Sequence, residues 1–268
     1  MRDYFHPLSF TLTDKETGET VSLKRDFGGQ IYNTNNDTFT TNQLPNPNHI
    51  TDKNENCDGE RYIDTTYGVR PLEIPVFFHE DNTLGLFELK EWIGDKSQKI
   101  FQYEDDPTHK CIDVIYNKEL DLETFYGKEF NSKTTISFIA HNPYWYIRNE
   151  TPLTYRRIEQ NKKILIECRG NTDCSPLIKI TPNGTQAKIR FMWNDLEIVL
   201  ENIDKPLYLN CKKQRCYEII NNKPELALFK YKVKNFEYPK LKHKIKNYFM
   251  LLEGKLTELY IEPNTKLL

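Results

Sequence analysis

A mostly β protein with two successive domains is what the sequence predicts, and three observations carry that expectation. Apolar residues recur at every second position over short runs, as in Leu72, Ile74, Val76 and Phe78, which is the side-chain period of a strand with one buried face. These runs favour Tyr, Phe, Ile and Thr, and aromatic residues make up 13% of the chain, a composition suited to pleated, half-buried surfaces. At 268 residues the chain exceeds what a single hydrophobic core usually serves. The division is expected in the seam Phe138–Tyr146, where a strand run meets an aromatic cluster and an Asn142-Pro143 step, giving domains 1–147 and 148–268.

Along the first domain, Leu8, Phe10 and Leu12 alternate with polar residues, Asp14–Gly18 reads as a turn, and Val21 and Leu23 return the chain as the second arm of a hairpin. A Gly28-Gly29 break follows. From Asn33 to Glu60 the chain is rich in Asn, Asp, Thr and Pro without a period, so a long exposed loop is expected, either a partner contact or a disordered segment. The strand carrying Leu72–Phe78 contains Pro71 and Pro75, each lacking a ladder donor, which predicts a sheet edge or a bulge. One helix is predicted from Thr83 to Ile93, with Asp81, Asn82 and Thr83 as capping candidates, Leu86, Leu89 and Ile93 on one stripe and Gly94 as the stop. Strands follow at Cys111–Tyr116 and at Thr134–Ala140, where Ile136, Phe138 and Ala140 share a face.

The second domain reads as short strands at Lys163–Cys168, Leu177–Thr181, Ala187–Met192, Leu196–Leu200, Leu207–Asn210, Tyr217–Ile220, Leu226–Tyr231, Tyr248–Leu252 and Leu256–Ile261. Turn signals at Pro182-Asn183-Gly184, Asn194-Asp195, Asn221-Asn222 and Glu253-Gly254 separate them, the spacing of a β-sandwich.

Composition narrows the function. A formal net charge of -2 supplies no global basic field, so sequence-specific or general nucleic-acid binding is not expected. No apolar run approaches the length of a membrane span, and Met1–Pro7 lacks the apolar core of a secretion signal, so the chain is expected to be made in a cytoplasm without membrane insertion. Cys57, Cys111, Cys168, Cys174, Cys211 and Cys216 are expected as reduced thiols. Their spacing would let four sulfurs gather if two loops met, yet it is not the tight pairing of zinc ribbons, and no metal or other cofactor is assigned. The chain has no HExxH, GxSxG or P-loop pattern, and the adjacent Asp105-Asp106 would point to opposite sides of an extended chain, so no catalytic residue is assigned and the protein is not read as an enzyme.

Several segments, taken in order, resemble the distal tail (Dit) family of long-tailed bacteriophages across nearly the whole chain. Arg70-Pro71-Leu72-Glu73-Ile74 is similar to the family's strand of an arginine followed by alternating hydrophobic positions, and a helix ending near Trp92-Ile93 comes next. Tyr103-Glu104-Asp105-Asp106-Pro107 precedes another strand, and His141-Asn142-Pro143-Tyr144-Trp145-Tyr146 resembles the domain-closing Asp-Pro-Tyr-aromatic motif, with Asn142 in the acid's place. Ser175-Pro176-Leu177-Ile178-Lys179-Ile180 and the last strands around Leu252-Glu253-Gly254 are similar to family segments, Glu253 standing where proline is usual. The resemblance implies a tail-tube-like, ring-forming amino-terminal domain and a galectin-like carboxy-terminal sandwich. It further implies a homo-hexameric baseplate hub in the virion that binds the major tail-tube protein, a tail-associated hub or lysin protein and receptor-binding proteins.

Two other readings compete locally. His141-Asn142-Pro143 looks like part of a galectin sugar motif, which makes a carbohydrate-binding module the alternative function, but Tyr144 stands where arginine is required and Trp193-Asn194-Asp195-Leu196-Glu197 does not reproduce the second sugar segment; packing roles for Trp145 and Trp193 are expected. Lys240, Lys242, Lys244 and Lys246 alternate with Leu241, His243 and Ile245, which predicts a strand with a lysine face, either a protected edge or a basic patch.

Overall fold

The computed structural model describes residues 8–31, 44–52, 61–78, 83–95, 97–117, 123–125, 131–233 and 237–268. The capping candidates Asp81 and Asn82, Cys57, and the stretches 33–43 and 53–60 of the expected loop lie outside the described residues. The protein is mostly β, and the chain divides into two compact units, residues 1–148 with Leu268, and residues 149–267.

The first unit opens with the expected hairpin, β1 (Phe10–Asp14) and β2 (Thr20–Ser22), with Leu12 opposite Val21. The Asp14 carboxylate closes its turn by accepting from the backbone N–H groups of Glu16 and Thr17 at 2.7 and 2.8 Å. Leu23 does not continue the second arm as expected. It begins a short helix, α1 (Leu23–Phe27), because Ser22 caps the Arg25 N–H while Asp26 reaches back to the Ser22 N–H, a reciprocal pair that is stronger than one more strand residue. Gly28, at φ 64°, ends α1 in the left-handed conformation that glycine adopts without strain.

Then come β3 (Gly29–Ile31), β4 (Pro47–Asp52), β5 (Arg61–Tyr67), β6 (Arg70–Phe78) and α2 (Thr83–Ile93). They are followed by β7 (Lys99–Tyr103), β8 (Lys110–Tyr116), β9 (Glu123–Phe125), β10 (Asn131–Ala140) and β11 (Trp145–Ile147). The main sheet runs β2-β1-β7-β8-β10-β6-β3, with β9 pairing β10 and β11 pairing β8. Alternate residues of β6 are buried, and Leu86, Leu89 and Ile93 of α2 are buried too, so both periodicities hold. Gly85 permits α2 to lie against α1, since a Cβ there would collide with the Phe27 carbonyl. An aromatic cluster fills the centre: Phe10 packs 5.1 Å from Phe101, Phe101 meets Tyr103 edge-on at 4.9 Å, and Tyr103 stacks on Trp145 at 6.0 Å.

Lys99 is buried in β7 and its ammonium is shared between Asp14 at 2.6 Å and Asp95 at 2.7 Å, with the Trp92 ring 4.0 Å away. The Asp14 carboxyl is held far below the usual carboxylate range, first by Lys99, then by the Ser97 hydroxyl and the Thr17 N–H, against the opposing effect of burial. A depressed folded-state value stabilises the fold above the ordinary pKa of 3.8 and loses that contribution as pH falls through and below it. The stability gap between the native chain and Asp14→Asn is therefore expected to narrow between pH 7 and about pH 3, measured by urea unfolding. A gap independent of pH would rule out the charge as its source.

The second unit contains β12 (Leu153–Arg156), β13 (Lys163–Ile166), β14 (Leu177–Pro182), β15 (Gln186–Trp193), β16 (Leu196–Ile203) and β17 (Leu207–Asn210). After these come β18 (Arg215–Ile220), β19 (Lys223–Leu226), β20 (Tyr231–Val233), β21 (Asn247–Glu253) and β22 (Leu256–Glu262). Two sheets form, β12-β22-β14-β17-β18-β19 and β13-β21-β15-β16-β20. Both contribute to one core, with Ile178, Ile180, Leu207 and Leu259 from the first and Ile189, Phe191, Trp193 and Phe249 from the second. Asn194, Asn221 and Asn222 adopt positive φ at the hairpin turns where asparagine signalled them.

The expected strand Leu226–Tyr231 is not one element. Leu226 ends β19, a 3-10 turn spans Leu228–Lys230, and Tyr231 starts β20 in the other sheet. The crossing is held by the Lys230 ammonium, which binds Glu218 at 2.6 Å and Asp204 at 3.1 Å.

Candidate functional site

For a protein read as a scaffold, the functional site is surface, and the most unusual surface is the pair β4 and β5. Among the described residues they pair with no other strand, running from Pro47 opposite Tyr67 to Asp52 opposite Arg61, with an irregularity after Ile50 that leaves Ile63 as the extra residue of a bulge. Part of the expected loop is thus a strand, a correction with a physical cause: every residue of β4 is exposed, so no buried face imposes alternation on its sequence. Ile50, Tyr62 and Ile63 are all solvent-facing. Side-chain bonds brace the ribbon, with the Thr65 hydroxyl hydrogen-bonded to His49 Nδ1 at 2.9 Å and to the Tyr62 hydroxyl at 2.7 Å, and the Gly68 N–H bonds to the Asn46 carbonyl at its base. Tyr67 meets Tyr144 edge-on at 6.4 Å, and burial raises the pKa of Tyr144, helped by Tyr67 and Asp64. A two-stranded ribbon is marginal by itself, and this one carries three large apolar side chains, Ile50, Tyr62 and Ile63, exposed among the described residues.

β6 sits beside the ribbon in sequence. It is not an outer strand as the prolines predicted, since β10 pairs with it from Arg70 to Phe78 and β3 with Val76–Phe78. Both prolines nevertheless fall where β3 does not reach, on the stretch of β6 that β10 alone pairs among the described residues. Arg70, at the head of β6, is 2% exposed, and its Nε and Nη2 meet no hydrogen-bond partner among the described residues; burial presses its pKa down. Because a buried unsatisfied polar group costs about 1–3 kcal/mol, Arg70→Met is expected to raise the stability of the isolated chain by that order, read as a higher denaturation midpoint. A loss of stability would show that the guanidinium is satisfied.

The other sequence candidates are placed as follows. In the seam, Trp145 is buried, Tyr146 donates to Asp113 at 2.7 Å, and His141 is exposed. Trp193 is buried in the second core, as its packing role required, and its indole N–H bonds the Lys240 carbonyl at 2.9 Å. Asp106 is buried and accepts from the Thr108 N–H at 2.8 Å and hydroxyl at 2.6 Å, the turn role, while Asp105 is exposed. The lysine run is not a strand: beyond an isolated bridge from Leu241 to Cys174, residues 242–245 form a turn held by Asn247, and Ile245 is exposed.

Cys111, Cys174, Cys211 and Cys216 are free and buried and Cys168 is half-buried. Cys168 and Cys174 bring their sulfurs to 3.9 Å, but among the described residues no group of three or more His, Cys, Asp or Glu side chains could hold a metal ion. Burial pushes the Cys111 thiol up to about 11 and the Cys216 thiol up to about 12.

No protein-family model matches the chain, and no curated protein matches it. Among solved structures it is similar to one described as "SPP1 Dit (gp 19.1) Protein, a Paradigm of Hub Adsorption Apparatus in Gram-positive Infecting Phages", at 13% identity and a TM-score of 0.65, over 94% of this chain and 98% of that one. A chain of the phage p2 baseplate in its activated conformation aligns over 94% of this chain and 97% of its own at 11% identity, with a TM-score of 0.49. The first likeness shows that this chain shares the fold of that protein over 94% of its length.

Proposed function

We propose that this chain is a structural virion protein, the hexameric hub at the distal end of a long non-contractile phage tail. The observation that carries the reading is the near full-length fold shared with SPP1 Dit, a protein described as a hub adsorption apparatus. In this reading residues 1–147 form the tail-tube-like ring domain and residues 148–268 the galectin-like domain. The ring joins the tail-tube protein to the tail-associated hub or lysin, and the second domain carries receptor-binding proteins.

Physical features of the surface support it. A closed ring needs a heterologous interface, and the bare ribbon with Ile50, Tyr62 and Ile63, next to the uncovered stretch of β6, supplies exposed apolar area and open backbone groups in one unit. A net charge of -2 suits a conduit for DNA, because a strongly basic lumen would bind each passing phosphate. The test is native mass measurement with negative-stain imaging of the purified chain, alone and mixed with tail-tube protein. Six-membered rings, or rings formed on the tube, are expected. A strict monomer in both samples overturns the proposal.

A further inference from the structure

Two free thiols meet where the second unit passes from one of its sheets to the other. Cys168 lies just past the end of β13, in the five-stranded sheet, and Cys174 just before β14, in the six-stranded sheet. Their sulfurs stand 3.9 Å apart, and both thiols share one acceptor, the Thr172 carbonyl, at 3.9 Å from Cys168 and 3.3 Å from Cys174. Cys211, the next thiol along the chain, turns its hydrogen to the Leu209 carbonyl at 3.7 Å instead.

The surroundings hold the pair in place. An isolated antiparallel bridge fixes the Cys174 backbone, whose N–H and C=O bond those of Leu241 at 2.9 Å each. The Leu241 carbonyl also accepts the Cys168 thiol at 3.7 Å, and the Lys266 N–H donates to the Cys174 sulfur at 3.3 Å. Gly170 lets the intervening loop close, since a Cβ there would collide with the Lys266 carbonyl and lie 3.1 Å from the Cys174 sulfur. Cys174 is 1% exposed whereas Cys168 is half-buried, so a small reagent from solution reaches Cys168 first.

A disulfide has an S–S bond of about 2.05 Å, so the two sulfurs must close by roughly 2 Å from where they stand, a shift within the reach of side-chain rotation. We propose that Cys168 and Cys174 form a redox pair that a small disulfide converts to an internal cystine, stapling the two sheets at their crossing. The reaction is thiol–disulfide exchange. The Cys168 thiolate attacks one sulfur of oxidised glutathione and expels a glutathione thiolate, which takes up the proton that Cys168 lost. The Cys174 thiolate, formed by loss of its own proton, then attacks the Cys168 sulfur and expels the second glutathione, which leaves as a thiol. Two cysteine thiols are oxidised, and one glutathione disulfide is reduced to two thiols. Burial raises the pKa of the Cys174 thiol, which suits it to the second step and leaves the first to Cys168. The new bond restricts the unfolded chain and so favours the folded one. None of this depends on the hub reading.

The test is incubation of the full-length chain, carrying Cys57→Ser so that this thiol takes no part, in glutathione buffers from fully reduced to fully oxidised, followed by alkylation and peptide mass mapping. A loss of two hydrogens and a peptide cross-linked between Cys168 and Cys174 are expected in the oxidised buffer and are reversed by dithiothreitol. Cys111, Cys211 and Cys216, all buried, are expected to alkylate as free thiols once the chain is unfolded. Cys174→Ala is expected to trap glutathione on Cys168 as a stable mixed disulfide, and Cys168→Ala to leave Cys174 unmodified. Mapping the cross-link needs no substitution at either cysteine, so it decides the matter whether or not those variants fold. The oxidised chain is expected to melt several degrees above the reduced one. Both thiols free in the fully oxidised buffer, glutathione held on Cys168 with Cys174 still free, or Cys168 joined to another cysteine overturns the proposal, and an unchanged or lowered melting point overturns the staple. Ring assembly measured on the oxidised and reduced samples separates its failure from failure of the hub reading.

Discussion

Trp193→Ala is expected to destabilise the second unit by about 3–5 kcal/mol, the cost of removing a large buried aromatic side chain from a closely packed core. Trp193 is 1% exposed, at the end of β15 where it faces the core shared by the two sheets, and its ring occupies space that neither Phe191 nor Phe249 can fill without leaving their own 5.0 Å stacked contact. The substitution also strands the Lys240 carbonyl, which the indole N–H serves at 2.9 Å. Trp193→Phe separates these two losses: most of the apolar volume returns, the N–H does not, and an intermediate cost of about 1–2 kcal/mol is expected. Equilibrium urea unfolding followed by far-ultraviolet circular dichroism measures both. A change below about 1 kcal/mol for the alanine variant would mean that the core closes over the gap, contrary to close packing.

The second large effect is on assembly. Replacing Ile50 and Ile63 together by Asp is expected to abolish ring formation, whether alone or on the tail tube, while the monomer's melting curve stays within about 0.5 kcal/mol of the native one, as for surface changes that touch nothing else. Both side chains are exposed, so the folded chain loses no core contact. If they are covered by a neighbouring copy, each contributes roughly 1.5–3 kcal/mol of burial, and two of them weaken every interface by about a hundredfold or more. Sedimentation velocity of the variant against the native chain gives the answer. Rings of unchanged stability would remove the ribbon from the interface.

The readable parts of the fold are those in which the core imposes a period. β6 shows buried and half-buried residues in strict alternation, and the signal was plain in Leu72, Ile74, Val76 and Phe78; α2 runs over Thr83–Ile93 as its stripe requires. Elements without a regular apolar face were silent. β4 has no buried residue, α1 is five residues long, and β7 buries Lys99 at a position where the pattern asks for an apolar side chain. The lysine run was the converse error. Its alternation is compositional, for only Leu241 of its apolar residues is buried, and the hydrogen bonds of Asn247 to Lys242 fold the segment into a turn.

Attack on sulfur goes through the ionised form, and a group that ionises near pH 11 is ionised at neutrality in only about one molecule in ten thousand. Cys111 and Cys216, buried beneath their strands, are therefore shielded from oxidation twice, by the side chains that cover them and by the scarcity of their thiolates at neutral pH.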